Sequence, residues 1–259
     1  MFNLDDISET VQQFARDVGA YSIAGIVPAI FSVIALTIFT RLFSPSAFGR
    51  YSIAISVAGI GSTLLFGWLN KSIIRFGSEV DERELIGTVF AVVIGISLCL
   101  AIVAGGAYAF IGNTLGPYQP FYIAALAFLL MQGAFQPMIA LFRATLNSKL
   151  VTVFMCTKAV TMLAFSVLIV LFVYEHISGW IWGNVIAIVI SILIIVALSD
   201  LLRTAPRVNR DILVRISGYG LPLVGWIMGD PLLNQADRFL IEFLRGSATV
   251  GIYTSNYSL

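Results

Sequence analysis

The chain has 259 residues, 59% of them hydrophobic and 11% charged, with a formal net charge of +1 and a mean hydropathy of +0.95. Globular domains carry about 25% charged residues, so the composition excludes a soluble domain and describes an all-α polytopic membrane protein. It also excludes the basic footprint of a nucleic-acid binder.

Residues 1–20 are polar and acidic, without the basic and apolar regions of a cleavable signal peptide. Phe2, Leu4, Ile7, Val11, Phe14, Ala15 and Val18 share roughly one helical face, which predicts an amphipathic interfacial helix. Charged residues then mark the span boundaries. Uncharged runs over 18–40 and 51–70 predict helices 1 and 2. Residues 85–142 hold no charge and predict helices 3 and 4, separated by the Gly, Asn and Pro cluster from Gly112 to Pro120. Helix 5 is predicted over 150–174, with Lys158 its only charge, and helix 6 over 177–199. Helix 7, over 216–236, carries only Asp230 and is expected to break at Pro231, as helix 1 is at Pro28. The start of helix 8 follows. Each run meets the roughly 20 residues needed to cross a bilayer. The domains expected are the N-terminal helix (1–20), a six-helix bundle (21–200) and the start of a second bundle (201–259).

An internal N-terminus gathers Arg16, Lys71, Arg75, Arg83, Arg143, Lys149, Arg203, Arg207, Arg210 and Arg215 on one side, against Arg41, Arg50, Arg238 and Arg245 on the other. The asymmetry predicts a cytoplasmic N-terminus in the cytoplasmic membrane. No hydrolase or transferase constellation, phosphate-binding glycine loop or metal-ligand spacing is present, so neither enzyme activity nor a cofactor is expected. His176 is the single histidine, and Cys99 and Cys156 lie in apolar runs, which predicts buried thiols.

RLFSPSAFGRYS, from Arg41, is echoed by FLRGSATVGIYT, from Phe243. Leu42, Gly49 and Tyr51 fall on Leu244, Gly251 and Tyr253 at one constant offset. Six crossings separate the copies, so both enter the membrane in the same direction, as a parallel repeat. The second copy ends too soon after Gly251 to cross a bilayer, which predicts one complete repeat and the opening of another.

RLFSPSAFGRYSIAISVAGIG and ADRFLIEFLRGSATVGIYTSNYSL resemble the polysaccharide transporter (O-antigen and lipid-linked oligosaccharide flippase) family of the multidrug and oligosaccharidyl-lipid exporter superfamily. The resemblance implies twelve to fourteen helices in two six-helix bundles, so later helices are expected to be missing and this chain alone is not expected to translocate lipid. It also implies the substrate, a polyprenyl-pyrophosphate-linked saccharide flipped across the cytoplasmic membrane for surface polysaccharide synthesis. The partners implied are that saccharide, membrane lipid, and a missing C-terminal half or other polysaccharide-assembly membrane proteins.

A pyrophosphate crossing the apolar core needs cationic and polar partners. Lys158, about a third of the way across, either faces a wet cavity or snorkels to the interface. Lys71 and Arg75, one helical turn apart, either capture phosphate or anchor the helix, and Arg143 carries the same two readings. In GDPLLNQADR, Asn234 and Gln235 are candidate substrate contacts and Asp230 a coupling site for a proton or cation. Asp237 and Arg238 read as a structural pair or cap. Arg41, Gly49, Tyr51, Gly251 and Tyr253 read as family structure, with Pro45 and Gly49 shaping a turn and Tyr51 at the aromatic interface. Trp68, Trp180, Trp182 and Trp226 read as interface or packing aromatics. The alternatives to a flippase are an ion-coupled multidrug-type exporter, resting on the helix-7 acids, and a non-transporting receptor or scaffold, resting on seven spans.

Overall fold

The computed structural model describes residues 4–144, 148–198 and 207–257, with side chains from residue 18 onward except at 198. The apolar face expected over residues 1–20, apart from Val18, and the side chains of Arg16 and Arg203 lie outside the described side chains. The elements are α1 (Leu4–Leu42), α2 (Pro45–Phe76), α3 (Glu82–Ile111), α4 (Gln119–Ala144), α5 (Ser148–Leu168), α6 (Ser178–Leu198), α7 (Arg210–Gly220), α8 (Val224–Arg245) and α9 (Ser247–Tyr257). Two single 3-10 turns, Gly112–Thr114 and Gly116–Tyr118, join α3 to α4, and one π turn, Ile169–Val173, ends α5. Among the described residues six helices are long and apolar enough to cross a membrane. A seventh crossing is made if α7 and α8, bent by 50° where they meet, count as one span. The chain is a multi-pass membrane protein.

Local chemistry sets the element ends. The Ser44 side chain accepts a hydrogen bond from the Ala47 N–H at 3.4 Å, and Pro45 occupies the first helical turn of α2, where its missing N–H costs nothing. Asp81 caps α3 through the Glu84 N–H at 3.0 Å, and Asn209 caps α7 through Asp211 and Ile212. Gly246, at φ +78°, lets α8 stop and α9 begin with no loop between them.

Proline does not break the helices where expected. Pro28 lies inside α1 and Pro231 inside α8. The bend falls at Leu221–Leu223, around Pro222. A proline inside a helix loses one i→i−4 hydrogen bond but need not end it, whereas Pro222 sits where α7 has already stopped. The interfacial N-terminal helix and helix 1 likewise form one continuous α1, apolar enough to span from Val18.

Two apolar clusters organise the packing. One joins Phe66, Leu69, Ile73, Leu85, Val89, Phe135, Ile139, Phe154 and Ile188 at the end where α2 finishes. The other joins Phe39, Phe48, Tyr51, Phe121, Ile177, Trp180 and Ile181 where α2 begins. Trp180 stacks between Phe39 and Tyr51, with ring centroids 4.4 and 4.3 Å away. Tyr51 is therefore buried in the bundle rather than set at the membrane interface, because its ring covers Trp180 better than a headgroup would. Trp68 is also buried, whereas Trp226 is 84% exposed.

The repeated segments meet each other. Gly49 lies within α2, not in the turn expected for it. A Cβ on Gly49 would fall 1.8 Å from the Ser247 carbonyl oxygen, and one on Gly251 would fall 1.9 Å from the Pro45 carbonyl oxygen. Ser52 and Thr254, 202 positions apart, share a hydrogen bond of 3.1 Å. Ser247 stands to Pro45, and Gly251 to Gly49, at the same offset. Equivalent residues thus contact one another reciprocally, as at a two-fold contact, and Gly49 against Gly251 followed by Ser52 against Thr254 makes α2 and α9 parallel. Glycine is required here because the backbones approach too closely for any side chain, the usual basis of close helix packing in lipid.

Candidate binding cavity

Three helices each contribute a stripe at i, i+3 or i+4 spacing to one cavity of about 700 Å³. From α2 come Ile55, Gly59, Ser62, Thr63, Gly67, Asn70, Lys71 and Ile74; from α4, Phe128, Gln132, Gln136, Ala140 and Arg143. From α8 come Ile227, Asp230, Pro231, Asn234, Gln235 and Arg238, and Tyr257 of α9 completes the wall. Lys71 and Arg143 lie near the ends of α2 and α4, and both are exposed. Arg238 lies at the other extremity, level with the first third of α2, where it donates to Ser56 Oγ at 3.2 Å. Three cations face one carboxylate, Asp230, so the lining carries a net positive charge.

Of the residues singled out in sequence, Lys71, Arg143, Asp230, Asn234 and Gln235 meet at this cavity. Asn234 donates through Nδ2 to Asp230 Oδ1 at 2.9 Å, which holds the carboxylate against the wall. Lys158 does neither of the things expected of it. It is not part of the lining, and instead of snorkelling it donates to Gln132 Oε1 at 3.0 Å, with its ammonium 4.9 Å from the centre of the Phe135 ring. A carbonyl and an aromatic face inside the bundle offset its desolvation without a trip to the interface. Lys158 therefore stands behind the cavity and fixes Gln132 from the rear.

Arg75 also turns away. Its guanidinium pairs with Glu79, as does that of Arg215, and both cations lie over the Phe76 ring, at 5.2 and 4.6 Å. Hydrogen bonding from Arg75, together with the charge of Arg215, holds the Glu79 carboxyl below its ordinary pKa. This pairing, with Ser72 Oγ donating to the Ile216 carbonyl at 2.8 Å, docks α7 on the end of α2.

Asp237 and Arg238 do not pair through their side chains. Asp237 accepts from the Arg238 backbone N–H at 2.7 Å and from the Tyr253 hydroxyl, while the Arg238 guanidinium points toward Ser56. Adjacent residues on a helix project about 100° apart, so the two side chains face different neighbours. Tyr253 thus ties α9 to α8, whereas its repeat equivalent, Tyr51, is a stacking residue. Arg41 ends α1 exposed and takes no part in the cavity.

Four positions that line the cavity or tie its helices together escaped the sequence reading. Gln132 and Gln136, one turn apart in a stretch without charge, give α4 its polar stripe. Asn70 lines the cavity with its Oδ1 buried and unpartnered among the described residues. Glu242 accepts from the Tyr118 hydroxyl at 2.6 Å and from the Ser247 hydroxyl at 2.7 Å, joining α8 to the α3–α4 turn and to the start of α9. The spacing of Gln132 and Gln136 was the one legible signal among them.

No curated protein matches the chain. A solved structure described as the inward-facing conformation of a multidrug resistance MATE family transporter of the MOP superfamily is similar in fold, with a TM-score of 0.56 and 13% identity. The similarity covers 93% of this chain and 60% of that one, so the match spans less than two thirds of that transporter's length. A family model described as polysaccharide biosynthesis protein matches residues 14–259. The chain belongs to that polysaccharide biosynthesis protein family.

Proposed function

We propose that the chain is the portion of an exporter that receives a polyprenyl-pyrophosphate-linked oligosaccharide and passes it across the cytoplasmic membrane. The observation that carries this reading is the net-positive polar cavity set among apolar helices. A pyrophosphate leaving water needs cationic partners. Lys71 and Arg143 near the mouth and Arg238 at the far extremity supply them. Asn70, Gln132, Gln136, Asn234 and Gln235 offer the paired donors and acceptors that sugar hydroxyls require. The volume lies within the roughly 300–1,000 Å³ of small-ligand sites. The tight α2–α9 crossing closes the path beyond Arg238, so release on the far side requires those helices to part.

The test is binding in nanodiscs by native mass spectrometry, with a short-chain polyprenyl-pyrophosphate disaccharide as ligand. The expected result is retention of this ligand over the matching neutral polyprenol, with a preference that weakens as salt rises. Equal retention of both would overturn the reading. A multidrug-type exporter, which the Asp230–Asn234 pair would serve, would instead retain an organic cation and lose it in Asp230→Asn.

A further inference from the structure

The half of α3 nearer the α3–α4 turn stands away from α2. Its other half packs inward through Leu85, Ile86, Val89 and Val93, but no residue from Ile94 to Ile111 is buried. The helix is nonetheless pinned again within that stretch. The Tyr122 hydroxyl donates to the Ala104 carbonyl at 2.8 Å, and the Tyr108 and Tyr122 rings stack with centroids 5.2 Å apart. Held at two points, α3 does not close onto α2, and a groove of about 340 Å³ is left between α2, α3 and α4. Ala54 and Ala58, Leu100 and Ala104, and Leu126 and Leu129 line it.

All three helices are long and apolar enough to cross a membrane, and the groove opens to its surroundings beside Val57, which is 54% exposed. Its polar side chains are Tyr118 and Tyr122 alone, and both hydroxyl protons are already donated, to Glu242 and to Ala104. About ten waters of ~30 Å³ each would have two hydroxyl oxygens to share, so water does not fill the space. The lining runs from Tyr118, just before α4, to Leu129, about 16 Å of helix and about half of the hydrocarbon core. Spread over that length the volume has a cross-section of about 20 Å², room for one extended alkyl chain. A cation stands at the end of the groove near the α3–α4 turn. Arg50 lies one turn before Ile53 and Ala54 on α2, partly exposed, and its charge acts on Tyr118. Its guanidinium donates to Ser46 Oγ at 3.1 Å, and no carboxylate among the described residues lies within ion-pair distance of it.

We propose that Arg50 and this groove together bind one membrane phospholipid, its phosphate on Arg50 and one unbranched acyl chain between α2, α3 and α4. A free guanidinium at the membrane boundary and an alkyl-wide groove one leaflet deep match the two parts of such a lipid. A polyprenyl chain fits less well, because its methyl branches exceed the width of a single alkyl chain. The bound chain fills the gap that the pinned α3 leaves and so braces that helix against α2 and α4. The main cavity lies on the other side of α2, at Ile55, Gly59 and Ser62, and shares no lining residue with the groove. The proposal is therefore independent of the saccharide reading.

The experiment is native mass spectrometry of the purified full chain, delipidated in detergent and titrated with dimyristoylphosphatidylcholine, diphytanoylphosphatidylcholine, dimyristoylglycerol or farnesyl phosphate. Dimyristoylphosphatidylcholine is expected to give a one-to-one adduct. It should be held about tenfold more tightly than dimyristoylglycerol, which lacks the phosphate, or than the diphytanoyl lipid, whose chains are branched. Arg50→Gln is expected to bring the phosphatidylcholine down to the level of the diacylglycerol while leaving the diacylglycerol unchanged. Ala125→Trp fills the groove and is expected to abolish the adduct, whereas Ile102→Trp, on the open face of α3, is expected to keep it. If Ala125→Trp does not fold, Arg50→Gln and the branched lipid carry the test. Equal retention of the phosphatidylcholines and the diacylglycerol, or an adduct unchanged in Arg50→Gln, would mark a merely annular lipid and overturn the proposal. Tighter retention of farnesyl phosphate would also overturn it, by giving the groove to an isoprenoid chain.

Discussion

Gly49→Ala is the sharpest perturbation of this fold. The new methyl would sit 1.8 Å from the Ser247 carbonyl oxygen and 2.7 Å from its carbon, both backbone atoms of α9. Carbon–oxygen contacts settle near 3.3–3.6 Å, so α9 must retreat by about 1.5 Å or more, and no side-chain rotation relieves the clash. That retreat also opens the Ser52–Thr254 hydrogen bond. Overpacking of this kind costs about 1–3 kcal/mol, and the rigid partner puts the cost at the upper end. At about 2–4 °C per kcal/mol for a chain of this size, the midpoint of thermal unfolding should fall by roughly 6–12 °C. Gly105→Ala is the control, because no atom lies within 4 Å of the place its methyl would take and helix propensity favours alanine. Gly251→Ala should cost a similar amount. The double variant should cost less than the sum, since the first methyl already separates the helices. A Gly49→Ala midpoint equal to that of Gly105→Ala would refute the reciprocal contact.

Four further outcomes follow from the same geometry. Replacing Lys71 and Arg143 together by glutamine should weaken binding of the pyrophosphate lipid at least tenfold in the nanodisc assay while leaving neutral polyprenol retention unchanged. Lys158→Met should lower the unfolding midpoint, because Gln132 loses its partner at about 1–3 kcal/mol, with a smaller effect on ligand retention than the Lys71 and Arg143 pair. Glu79 has a folded pKa held below its ordinary 4.5 by Arg75 and Arg215, so its stabilisation is present above that value and lost as pH falls through the folded one. The protection of α7 amides, taken relative to the intrinsic exchange rate at each pH, should therefore fall on acidification in the native chain and lose that dependence in Glu79→Gln, with a small amplitude because the pair is exposed. Cysteines placed at Ser52 and Thr254, after removal of Cys99 and Cys156, should cross-link within one chain.

The spans were legible because charge is so scarce that each charged cluster marks a membrane boundary. The pairing of the two recurring segments was legible for a different reason: the residues that recur, Gly49 and Gly251, are the ones that touch. The bend was misplaced because Pro222 and Pro231 look alike in sequence, and only the capping of the preceding turn decides which one ends a helix. The α8 stripe announced itself through Asp230, Asn234 and Gln235. Its partners on α2 and α4 did not, since serine, threonine, glycine and two glutamines are common in tightly packed membrane helices. Lys158 could not be resolved from sequence at all, because Gln132, which settles its position, lies 26 residues away on another helix.

The most direct test of the account replaces Gln132 or Gln136 with a photoreactive benzophenone residue and irradiates the protein in nanodiscs with a short-chain polyprenyl-pyrophosphate disaccharide. Both positions face the proposed saccharide site, whereas Ile102, 73% exposed on α3, serves as a lipid-facing reference. The account predicts adducts at Gln132 and Gln136 that excess unlabelled pyrophosphate lipid competes away, and only uncompeted adducts at Ile102. Equal, uncompeted labelling at all three positions would contradict it, and would leave the cavity as a feature of the fold with no part in handling a lipid-linked saccharide.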